Sequence, residues 1–334
     1  MSIAEKIEIE KLVSSRLLSA RGLMSQRKAE AIRGVPLPTT ASFPPEALKL
    51  PIEFVSAPIS TAIYKLIAAE FRDLPKSLVT APMISEARVY TSELLGVDLD
   101  AVRVEIVPLH EWDEGDSIEG FQVPVGIRDH LVFVPDRFSS PEELLCHELG
   151  HAAHVTAQRM NGELPYFDNL PTTAEFVAHY VQFNYLLNHK DRIHFVAALG
   201  QLTTASYALS IFASGIYDNF VSYLGSDWAK EIRKAMPIGT VERTYAHFQA
   251  NPQEMQNQAM RGIAIVLALL LIDEHEGMKR FVSIDRIDHS LEAKLRTAFP
   301  DVDFLGSFAK VNEQILQLLE RFDLDENRHD EEAL

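Results

Sequence analysis

Apolar positions recur at helical spacing through most of this chain and at strand spacing in one short stretch only. Residues 1–33 alternate charged and apolar positions (Ile7, Leu12, Val13, Leu17, Leu18) before Gly34, which predicts one amphipathic helix. Six prolines between Pro36 and Pro58 break every periodic pattern, so an extended strap is expected there. Residues 60–96 read as two helices around Pro75 and Pro82. Period-two alternation follows over 102–107, with apolar runs at 121–125 and 131–134. These predict a small antiparallel sheet, with 126–129 turning a hairpin. From 172 onward nearly everything is helical: 176–187, 195–202, 205–224, 228–235, 241–248, 252–273, 289–298 and 304–322. The most apolar run, 262–272, is far short of the roughly 20 residues of a membrane span, so a core helix and no membrane span are expected. The expected fold is mainly α with a small antiparallel β-sheet, an α+β arrangement. Its N-terminal segment is 1–60 and its main domain 61–325, with the sheet and one helix at about 101–160 and a helical subdomain at about 172–322. An acidic tail, 326–334, ends a stretch of charge that begins at Asp323 and reads as frayed.

One predicted helix carries chemistry. Ser140, Pro141 and Glu143 offer an N-cap, an N1 proline and the N3 acid of a capping box. The helix then runs through Leu144, Leu145, Cys146, His147, Glu148, Leu149, Gly150 and His151, directly after the strand at 131–134. His147 and His151 are one turn apart on one face, where two imidazole nitrogens can converge on a single ion. Glu148 stands one position round, within reach of a water on that ion without having to ligate it. A bound Zn²⁺ lowers the pKa of such a water to about 7. Two ligands and a base therefore fit in five residues.

The segment from Leu144 to His154 resembles the active-site helix of zincin metallopeptidases, and its HELGHAAH form is most similar to the thimet oligopeptidase-like group. The residues after His151 lack the glycine and third histidine of metzincins, which places the resemblance on the gluzincin branch. The resemblance implies a zincin-like fold, one Zn²⁺ per chain, Glu148 as general base and a peptide or protein substrate. It also implies a third ligand, a glutamate on a second helix. Glu175, 24 residues beyond His151, fits that spacing, and Asn161, Gly162 and Pro165 supply the turn between the helices. A competing reading makes Thr172 and Glu175 a capping box. The group's usual Pro-Ser register would select Asn169 instead, and Asp168 and His179 stand in reserve. The specific resemblance covers about residues 131–180. In zincins an edge strand near the metal also holds the substrate by backbone pairing, which a Pro124 at an edge would tolerate.

Other residues have lesser claims. His154 continues the motif face and can touch substrate, while His179 can orient Glu175. Tyr207, Tyr217, Tyr223, Tyr245 and His247 are candidates to stabilise an oxyanion, although packing is the commoner role of each. Cys146 reads as a small buried apolar residue. As the single cysteine it excludes an intramolecular disulfide, and the charged N-terminus does not resemble a signal peptide, so a cytoplasmic location is expected, signal-free secretion remaining open. A net charge of −17 without a basic stripe argues against nucleic acid as a partner. Nothing in the sequence sets an oligomeric state. The same site could cleave a small amide or epoxide, or the chain could be a non-catalytic interaction protein on a zincin scaffold with structural zinc. A di-iron reading of Glu148 and His151 lacks a second ExxH partner.

Overall fold

The computed structural model describes residues 60–70, 74–109, 120–124, 126–162, 171–286, 289–304 and 307–332. The helix read over 1–33, the proline-rich segment, and Pro165, Asp168 and Asn169 lie outside the described residues. In chain order the elements are α1 (Thr61–Glu70), β1 (Ser77–Leu78), α2 (Ala81–Leu95), β2 (Arg103–Val107), β3 (Phe121–Val123), β4 (Leu131–Pro135), β5 (Arg137–Phe138) and α3 (Pro141–Met160). Then come α4 (Pro171–Asn188), α5 (Arg192–Ser214), α6 (Phe220–Gly225), α7 (Asp227–Ala235), α8 (Ile238–Ala250) and α9 (Pro252–Leu270). The last are α10 (His275–Ile284), α11 (Leu291–Ala298) and α12 (Ser307–Glu332). The protein is mainly helical with small sheets, and α12 continues through the acidic stretch read as frayed. Contacts divide the chain into two compact units.

The first unit takes its described residues from Leu74–Leu170 and Asp273–Pro300. Its three-stranded sheet has the order β2-β4-β3. β3 pairs antiparallel with β4, Gln122 opposite Val132, and the predicted turn joins them. β2 pairs parallel with β4, Val104 opposite Val132, so the sheet is mixed and the expectation of an antiparallel sheet is corrected. Alternation identifies a strand and its faces, but the direction of a partner is set by the connection between them. A two-residue antiparallel pair, β1 with β5, was not foreseen; strands this short carry no periodic signal.

Helix α3 packs on β3, β4, β5 and α10, and most extensively on α2. Leu145, Cys146, Leu149, Ala152 and Ala153 are its fully buried apolar positions. Full burial of side chains such as Leu145 and Leu149 contributes about 1.5–3 kcal/mol each. Pro141 occupies the first turn as expected, but Ser140 makes no side-chain cap hydrogen bond, so the predicted capping box does not form at that end. Its carbonyl instead accepts from Leu144 N at 3.1 Å. At the other end the helix stops at Asn161 and Gly162, whose φ of 81° favours glycine. Arg159 Nη1 donates to the carbonyl of Gly126, tying the β3–β4 turn to the last turn of α3.

The second unit takes its described residues from 60–70, Pro171–Ile272 and Asp301–Leu334. Helix α9 packs on α4, α5 and α12, and its apolar end (Ile263, Ala264, Val266, Leu267) is buried, as expected for a core helix. Phe195 is the hub of an aromatic cluster, with ring centroids 5.4 Å from Phe183 and 5.3 Å from Phe322. By length and composition α5 alone among the described helices is apolar enough to cross a membrane, and two-thirds of its apolar window is buried.

Candidate metal centre

Helix α3 carries His147, Glu148 and His151 in the first unit. The Nε2 atoms of His147 and His151 are 3.2 Å apart, with the rings at 84°. Two imidazole nitrogens each about 2.05 Å from one tetrahedral Zn²⁺ stand about 3.3 Å apart, so the pair has the separation that a shared ion requires. The same spacing serves a hydrogen bond when one ring is protonated at Nε2. Both rings are partly exposed, while Glu148 between them is only 4% exposed. Gly120, the residue before β3, lies directly against the Glu148 side chain.

Cys146 faces the core, where burial pushes its thiol well above the usual range despite a hydrogen bond involving Thr91. It behaves as the small apolar residue its sequence context suggests. His154 is fully buried, and its Nε2 lies 2.5 Å from Asp285 Oδ2. Gln158 Nε2 donates to that same oxygen at 2.6 Å, and Lys294 pairs with Oδ1. Burial alone would raise the Asp285 pKa, but His154 and Lys294 outweigh it and the carboxyl is held below its usual value. His154 therefore joins α3 to the α10–α11 segment instead of presenting its ring to a substrate, and Asp285 carried no local signal that could have revealed this.

Glu175 belongs to the second unit, in the opening turns of α4. That helix begins at Pro171, so Thr172 lies within it and the capping-box reading of Thr172 with Glu175 does not hold. Glu175 is instead 3.4 Å from His179 Nε2 and 3.6 Å from Arg261 Nε. His179 Nδ1 shares a 2.7 Å hydrogen bond with Gln182 Oε1, which holds the ring beside the carboxylate.

The candidate oxyanion donors are mostly engaged within the second unit. Tyr223 OH is 2.6 Å from Ser210 Oγ, Tyr245 OH donates to the Ile216 carbonyl at 2.9 Å, and Tyr217 OH donates to that of Phe212 at 3.1 Å. His247 pairs with Glu254 at the surface. Tyr217 and Tyr245 also line an apolar cavity of about 260 Å³ with Phe212, Phe248 and Met255. Tyr207 differs: burial pushes its phenol up to about 12, and its hydroxyl has no hydrogen-bond partner among the described residues.

Compared with known proteins, the chain matches no family model, no curated protein and no solved structure.

Proposed function

We propose that this chain is a zinc-dependent peptidase with a zincin-like fold, in which His147, His151 and Glu175 hold one Zn²⁺ and Glu148 is the general base. The observation that carries the reading is the 3.2 Å separation of the two Nε2 atoms, on a helix that also presents a largely buried carboxylate between them. Support for Glu175 comes from its 24-residue spacing after His151 and from the loss of its alternative role as a cap. Zinc in such a site supplies Lewis-acid chemistry, polarising a carbonyl and lowering the pKa of water bound to it to about 7. Glu148 takes the proton of the attacking water and delivers it to the leaving amine. His179, held by Gln182, keeps the Glu175 carboxylate turned as a ligand. Among the described residues β3 pairs with β4 alone and forms one edge of its sheet, which is where an extended peptide would add by backbone hydrogen bonding.

The test is zinc per chain by mass spectrometry for wild type, His147→Ala, Glu175→Ala and Glu148→Gln, together with hydrolysis of a mixed pool of internally quenched peptides. The reading requires one zinc in wild type and Glu148→Gln, loss in the two ligand variants, and turnover in wild type alone. A wild type that takes up no zinc after reconstitution would overturn it.

A further inference from the structure

Gly120 is described at the entrance to β3, and its backbone φ does not lie in the left-handed region. Conformational freedom therefore does not explain a glycine there; an alanine could adopt the same backbone. The space around it does explain the choice. A Cβ built on Gly120 would stand 2.6 Å from Glu148 Cγ and 3.0 Å from both Cδ and Oε1 of the same side chain. Among the described residues, the three heavy atoms nearest to that point all belong to Glu148.

The strand that Gly120 leads into and the helix that carries Glu148 are each held by their neighbours. β3 is fixed on β4 by its ladder, Phe121 opposite Phe133 with their rings stacked at 5.0 Å. Helix α3 is held by β3, β4, β5, α2 and α10 together. A methyl group at position 120 would therefore be accommodated by displacing the Glu148 side chain, which at 4% exposure has few alternative rotamers.

We infer that Gly120 is a positioning residue: its missing side chain defines the place of the Glu148 carboxylate beside the His147–His151 pair. The inference rests on the proposed function for its catalytic meaning, but the contact itself is testable without zinc or substrate. Acting through Glu148, Gly120 should govern the rate of the chemical step and leave the histidines and their metal untouched.

The experiment is a cycle of Gly120→Ala, Glu148→Ala and the double variant in the full chain. In the wild-type background Gly120→Ala should lower the melting temperature by several degrees. In the Glu148→Ala background the crowding atoms are gone, so the same change should leave the melting temperature unchanged or slightly raised, because alanine narrows the unfolded ensemble. Gly120→Ala should also lower kcat on the fluorogenic peptide pool roughly 100-fold, the scale of an ångström-sized misplacement, with KM and zinc per chain unchanged. An equal loss of melting temperature in both backgrounds, or an unchanged kcat beside an active wild type, would overturn the inference. A wild type without zinc or turnover would instead overturn the proposed function, and the melting-temperature cycle alone would then decide whether Gly120 positions Glu148.

Discussion

His154 and Asp285 meet at 2.5 Å although 131 residues separate them, and neither has any exposed side-chain surface. Asp285 also accepts from Gln158 and pairs with Lys294, itself 3% exposed, so one buried carboxylate gathers three donors from two stretches of the chain. Removing one partner of a buried charged pair leaves the other without compensation, at about 3–5 kcal/mol. Asp285→Ala should destabilise the first unit by that amount in urea or guanidinium unfolding. Lys294→Met should cost less than Asp285→Ala, because His154 and Gln158 continue to satisfy the carboxylate.

His130 precedes β4 and is fully buried. Burial lowers its pKa to about 4, against the opposing influence of Asp129 and a backbone hydrogen bond at Ile127. Between about pH 6.5, the unfolded value, and pH 4 the unfolded chain binds the extra proton, so stability rises with pH across that window and is lost as pH falls. The expected difference is about 2 kcal/mol between pH 7 and pH 5. Unfolding in denaturant at the two pH values checks it, and His130→Gln should remove most of this slope.

Phe195 stands between Phe183 and Phe322 in the second unit. Phe195→Ala should cost about 3–5 kcal/mol, the transfer term of the ring plus the cavity it leaves. If calorimetry resolves two transitions, the one belonging to the second unit should move.

The contact between His179 and Glu175 leads to a graded expectation. His179→Ala should weaken zinc binding about 10-fold to 100-fold, the usual effect of losing a partner that orients a ligand. Competition with a chromophoric chelator measures it. An unchanged affinity would reduce the contact to packing and direct the search for a third ligand away from Glu175.

The motif helix was legible because several local signals agree on it. Pro141 opens it, Asn161 and Gly162 close it, and the apolar positions between recur at its period. The convergence of His147 and His151 follows from that period alone. The helical second half was legible for the same reason. What was not legible depends on pairs distant in sequence. The parallel register of Val104 with Val132 is fixed by the course of the chain between them, and alternation within each strand is silent about it. The role of His154 needed Asp285, which no local pattern singles out. The crowding at Gly120 depends on how β3 lies on α3, so composition gave a glycine without its reason. Ser140 and Thr172 show the limit of cap signatures: each has the right neighbours, yet one makes no side-chain cap bond and the other lies inside its helix.

The described residues of the first unit come from two separated stretches of chain, and this sets an order of events during synthesis. At about 5–20 residues per second, a ribosome that has just made His154 needs roughly 7 to 26 s more to reach Asp285, 131 positions further along the chain. Until then the imidazole of His154 and the amide of Gln158 have no carboxylate to receive them. The nascent motif helix therefore waits, incompletely seated, while the whole of α4 to α9 is being made. A chain that terminates anywhere in that interval carries His147, Glu148 and His151 but lacks the buried anion that seats their helix.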